Sequence, residues 1–160
     1  MSIRIHFAAE LALSIGLSLN AHAAGAANLP ANCLAPEAIQ PANLYGRWHL
    51  TLGAPEKPVG AGVVVFTPHP EYAGSVRGSV ERQTDTGLYK ALVAGDVTHK
   101  GFQLEESVDG VNIDAVWTGD VTEASCGKEI QGWRRVLEGN TAKEPESDLP
   151  FTLKKAAAPR

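Results

Sequence analysis

From residue 44 onward the apolar residues of this chain recur at every second position, in runs too short and too often broken by glycine or proline to wind into helices. The longest alternation is Val111–Val121. It places Val111, Ile113, Ala115, Trp117, Gly119 and Val121 on one face, with Asn112, Asp114, Thr118 and Asp120 on the other. Gly46–Leu52 does the same with Trp48, Leu50 and Leu52. Ser75–Arg82 sets Val76, Gly78 and Val80 against Arg77, Ser79 and Glu81, and Gly101–Ser107 sets Phe102 and Leu104 against Gln103 and Glu105. Gly62–Thr67, Leu88–Val97, Lys128–Val136 and Leu149–Lys154 complete the series.

The connections carry turn chemistry: Asp85-Thr86-Gly87, Asp109-Gly110, and the rigid Pro68-His69-Pro70. About eight sequential strands with short connections predict an all-β fold, an antiparallel up-and-down β-barrel spanning residues 44–155 with a flexible tail at 156–160. Sixteen glycines and ten prolines in 160 residues oppose a helical bundle. Gly46, Gly78, Gly95, Gly119 and Gly132 interrupt otherwise regular strands, as expected where a small barrel curls and makes room for the indoles of Trp48, Trp117 and Trp133. Gly95-Asp96-Val97-Thr98 recurs as Gly119-Asp120-Val121-Thr122, each closing a long strand.

The N-terminus reads as an address. Arg4 precedes the mainly apolar stretch Phe7–Leu19, and Ala21-His22-Ala23 presents small residues where a signal peptidase cuts. Residues 1–23 are therefore expected to be a signal peptide cleaved after Ala23, although Glu10 places a carboxylate inside the apolar stretch. The mature chain would then be periplasmic or secreted, with no further segment able to span a membrane. In an oxidising compartment Cys33 and Cys126 are expected to pair and to staple residues 24–43, an extended segment rich in Ala, Pro and Asn, onto a late strand.

Function classes narrow by exclusion. A net charge of -4 with basic residues scattered among acids opposes nucleic-acid binding. His49, His69 and His99 lack the spacing of paired metal ligands, and no nucleophile elbow, phosphate loop or dinucleotide fingerprint occurs. Glu105 and Glu106 are strand neighbours pointing to opposite faces, so at most one enters a cavity. The expectation is a non-enzymatic protein with no catalytic residue, metal or cofactor. It would bind a small apolar molecule or a secreted partner protein, and Trp133, Trp117, Trp48, Tyr89 and Phe102 are the candidate contacts. Trp133 stands out of register with Ile130 and Gly132 and is expected on the outer face.

Gly46-Arg47-Trp48 resembles the Gly-x-Trp that opens lipocalins and avidins, and Trp117-Thr118-Gly119-Asp120 with Trp133 is similar to a late avidin hairpin. That resemblance implies a barrel with an open end as its binding mouth. Biotin binding does not carry over, because His49-Leu50 stand where a ureido-binding side chain would follow Trp48. Leu44-Tyr45-Gly46-Arg47-Trp48 also resembles the start of small periplasmic inhibitors of secreted bacterial metalloproteases, disulfide-stapled barrels whose N-terminal segment enters the protease cleft. It implies an alternative role as a protease inhibitor acting through residues 24–43. A purely structural envelope protein is the third reading.

Overall fold

A computed structural model describes residue 30 and residues 33–157. The expected signal peptide, its expected cleavage site at Ala23, and the end of the predicted tail lie outside the described residues. Eight antiparallel strands form a closed barrel in sequence order: β1 (Gly46–Ala54), β2 (Lys57–Pro68), β3 (Ser75–Thr84), β4 (Gly87–Val97), β5 (Gly101–Ser107), β6 (Ala115–Val121), β7 (Glu129–Val136) and β8 (Ser147–Lys155). The closing seam joins β1 to β8, with Leu50 opposite Leu153 and Leu52 opposite Phe151.

Inward residues follow the alternation seen in sequence. Trp48, Leu50, Leu52, Val64, Phe66, Val80, Phe102, Leu104, Trp117, Ile130, Phe151 and Leu153 belong to one buried cluster. Phe66, Phe102 and Phe151 run through it with centroids 5.9 and 6.0 Å apart, and Trp117 tilts against Phe151 at 4.9 Å. These rings fill the interior that an apolar ligand would otherwise occupy. Outward positions carry Arg77, Glu81, Lys90, Gln103, Glu105, Gln131 and Lys154. An apolar inside and a polar outside is the reverse of a lipid-embedded barrel.

The segment before β1 seals one end, the near end. A 3-10 turn at Pro36–Ala38 leads to the short helix α1 (Pro41–Leu44). Its start is fixed by Pro41 and by Gln40 N–H donating to Asn43 Oδ1 at 2.8 Å. Its orphan carbonyls find partners from the barrel: Trp48 Nε1 donates to Leu44 O at 2.7 Å, and Lys155 Nζ donates to Asn43 O. Ile39 and Leu44 enter the core beneath. Cys33 is bonded to Cys126 in the β6–β7 connection, and Leu34 packs where any side chain at Gly127 would sit.

Three expectations are corrected. Val111–Asp114 is a loop, so β6 starts at Ala115 and Val111 is 83% exposed. The cause is Asp109, whose carboxylate accepts from Val111 N, Asn112 N and Asn112 Nδ2 at 2.7–2.9 Å and curls the chain away from the ladder. Strand β2 begins at Lys57, five residues earlier than the apolar run. A bulge at Gly53 lets the β1–β2 hairpin continue past Pro58. Only glycine fits there, since φ is +90° and a Cβ would lie 2.8 Å from Lys57 O. Finally, the room at Gly119 holds a phenyl ring rather than an indole: a Cβ would lie 2.7 Å from Phe151 Cζ.

Candidate functional site

Two regions concentrate chemistry. The first is the outer face of β6, β7 and β8. On β7 the inward residues are Ile130, Gly132, Arg134 and Val136, which turns Trp133 outward. The residue is 58% exposed, between Thr118 of β6 and Pro150 of β8. A groove of about 420 Å³ lies on one side, lined by Asp120, Gln131, Pro150 and Thr152 among others. Another of about 410 Å³ lies on the other, bounded by Val116 and by the Arg135–Asp148 ion pair at 2.9 Å. Both grooves are open to solvent, and Trp133 is the ridge between them.

The second region is the far end of the barrel, beneath the connection that joins β7 to β8. Glu106 is 0% exposed and continues the inward face of Phe102 and Leu104. Its carboxylate accepts from Trp117 Nε1 at 2.6 Å, from Arg134 Nε at 3.0 Å and Nη2 at 2.7 Å, and from the Tyr89 hydroxyl. Arg134, 1% exposed, also donates to Glu144 Oε2 at 2.6 Å. Arg82 donates to Glu144 Oε1 and stacks on the Tyr89 ring at 4.0 Å. Two guanidiniums thus alternate with two carboxylates in a neutral cluster, the arrangement that makes buried charge tolerable.

Proton equilibria follow the cluster. Burial pushes the Tyr89 hydroxyl well above its usual range, and the neighbouring Glu106 charge pushes it further. For Arg134, burial opposes the charge but Glu106 and Glu144 outweigh it, holding the guanidinium protonated. Burial raises the Glu144 carboxyl, yet Arg134 and Arg82 prevail and hold it below its usual 4.5. A carboxyl depressed on folding stabilises the protein above its unfolded value and loses that contribution as pH falls through the folded one. Denaturant midpoints should therefore decline below about pH 4.5, and the decline should be shallower in Glu144→Gln.

The connection over this end is tied down by Asp114, which sequence placed on an outward face and which is in fact buried. With the strand starting only at Ala115, Asp114 turns inward. Its Oδ2 accepts from Val108 N at 2.6 Å, its Oδ1 from Thr141 N, and its backbone carbonyl from Leu137 N at 2.9 Å. Asn140 braces the connection internally, bonding Leu137 O, Glu144 O and Glu144 N at 2.8–2.9 Å.

Of the five aromatic residues expected to contact a ligand, only Trp133 offers a broad exposed face. Trp48, Phe102 and Trp117 are packed in the core, and Tyr89 is half-buried in the ionic cluster. Sequence reasoning missed Arg82, Arg134 and Glu144. For the first two the signal was present, because extending the inward alternation of β3 and β7 reaches them. Glu144 lies in a polar connection with no periodicity. Among the described residues, no three His, Cys, Asp or Glu side chains converge to hold a metal. His69 instead caps its own loop, accepting from Glu71 N and Tyr72 N at 3.2 and 3.3 Å.

The class defined by this geometry is a closed, filled, eight-stranded antiparallel up-and-down barrel. No family model matches the chain, and no curated protein does. Among solved structures it is similar to a redesigned β-barrel, b11L5F_LGL, with TM-score 0.50, 16% identity, and 73% of this chain and 95% of that one covered. It is also similar to a redesigned β-barrel, mFAP0, solved bound to DFHBI, with TM-score 0.50, 15% identity, and 71% and 99% covered. At these identities the likeness is one of fold.

Proposed function

We propose that this chain is an exported, non-enzymatic binding protein that engages a partner protein through the outer β6–β7–β8 face centred on Trp133. The observation that carries the reading is the exposed indole itself, a ridge between two open grooves with an ion pair at its edge. Tryptophan dominates protein interfaces when a rim of polar groups surrounds it. Shallow, open grooves suit a protein surface better than an enclosed small molecule. The disulfide and the leader of the sequence support export.

A photo-crosslinking amino acid at the exposed groove residue Gln131, with Trp133 retained, in protein exported from its own cells, should capture one discrete protein species that the same group at the outward Glu105 does not. Equal patterns at both positions would refute the proposal, and a small mass adduct alone would replace the partner with a small ligand. Trp133→Ala should abolish capture while shifting stability by no more than about 1 kcal/mol, because an exposed side chain contributes little to the core.

The inhibitor reading keeps one observation in its favour. Cys33 is bonded to Cys126 and Leu34 packs on Gly127, so any segment preceding Cys33 departs from a fixed point on the near rim. Deleting residues 24–32 should abolish inhibition of a co-secreted protease while leaving the fold intact, and unchanged inhibition would discard the idea.

A further inference from the structure

We infer that the far end of the barrel is a carboxylate-binding site, with Glu144 as its internal occupant and a small organic carboxylate as the external ligand that takes its place. Each receptor group keeps a contact that does not involve Glu144. Arg134 is gripped through two nitrogens by Glu106, and Arg82 lies on the Tyr89 ring, itself bonded to Glu106 through its hydroxyl. All four stand on strands β3, β4, β5 and β7. Removing the Glu144 side chain from this set leaves two guanidiniums against one carboxylate. One further anion is then required, since an uncompensated buried charge is costly.

Its shape is specified as well. Arg82 Nη2 and Arg134 Nη2 each meet a different oxygen of the same carboxylate, so the receptor spans a two-oxygen planar group. Glu144 satisfies it incompletely. Arg82 Nε is buried and has no hydrogen-bond partner among the described residues, so one donor of the guanidinium fork is unused. An untethered carboxylate is free to rotate onto the Nε–Nη2 edge of Arg82, whereas Glu144 is fixed by a backbone braced through Asn140. The residue before it, Lys143, holds φ at 55°, a conformation that non-glycine side chains disfavour. The occupant is therefore attached to a strained connection, and the receptor to rigid strands. This inference is independent of the Trp133 surface.

The test is chemical rescue. Oxidised Glu144→Ala protein is unfolded by denaturant in sodium acetate and in sodium chloride at equal ionic strength. Acetate should raise its folding equilibrium constant in proportion to one plus the ratio of acetate to its dissociation constant, about elevenfold when that ratio is ten. Wild type should need higher acetate for any effect, and Glu144→Ala/Arg82→Met should lose the response. Equal effects of acetate and chloride on Glu144→Ala, or an effect that survives loss of Arg82, would overturn the assignment. If Glu144→Ala does not fold, wild-type protein titrated with benzoate supplies the decision. Faster amide exchange confined to residues 138–146 supports displacement of Glu144, and unchanged exchange there refutes it.

Discussion

Glu106→Gln should lower the free energy of unfolding by about 3–5 kcal/mol, the cost of stranding a buried charge. The substitution is nearly isosteric, so no cavity term is involved. What changes is the charge opposite Arg134, which is 1% exposed. Glu144 continues to compensate one guanidinium, but Arg82 competes for it. The indole N–H of Trp117 keeps an oxygen to bond, whereas the Arg134 Nε–Nη2 fork loses half of a two-point contact. Equilibrium urea unfolding measures the difference, and a loss under about 1 kcal/mol would show that water already reaches the cluster. The double variant Glu106→Gln/Arg134→Met separates charge from packing. If stranded charge is the cause, removing Arg134 as well should restore a large part of the loss.

Loss of the Cys33–Cys126 bond should cost about as much, by a different route. The bond closes a loop of 93 residues' separation, worth roughly 4–5 kcal/mol by the chain-entropy argument. It also fastens the segment carrying Ile39 and Leu44, both part of the core cluster. A Cys33→Ser/Cys126→Ser variant should unfold at a lower denaturant midpoint, and reductant should reproduce the shift in wild type while leaving the variant unchanged. The near end should loosen first. Amide protection at Ile39, donated to Pro36 O, should fall before that of the central strands. An unchanged midpoint on reduction would mean that α1 and the core hold the segment unaided.

The architecture was legible because a strand's two-residue period is local. Trp48, Leu50 and Leu52 point inward for the same reason in the sequence and in the barrel, and Trp133 betrayed its outward direction by falling between Gly132 and Arg134. The loop at 108–114 was misread because Val111 and Ile113 keep the period of a strand after Asp109 has bent the backbone out of it. Such capture by a side chain leaves the periodicity untouched. The ionic cluster was half legible. Arg82, Glu106 and Arg134 sit on inward positions, but charge at an inward position is intelligible only when its partner is known. That partner, Glu144, reaches them from a connection whose path depends on Asp114 and Asn140. Periodicity could indicate where the rings go, but not that five of them would fill the space a ligand would need.

The seam between β1 and β8 sets a timetable for the chain. No strand can be left for later without exposing two raw edges, since the first and last strands are each other's partners. In a growing chain one edge of β1 stays open until residues 147–155 emerge, and the contact it awaits spans almost the entire domain. Closure of the barrel is thus the last pairing that the order of the chain allows.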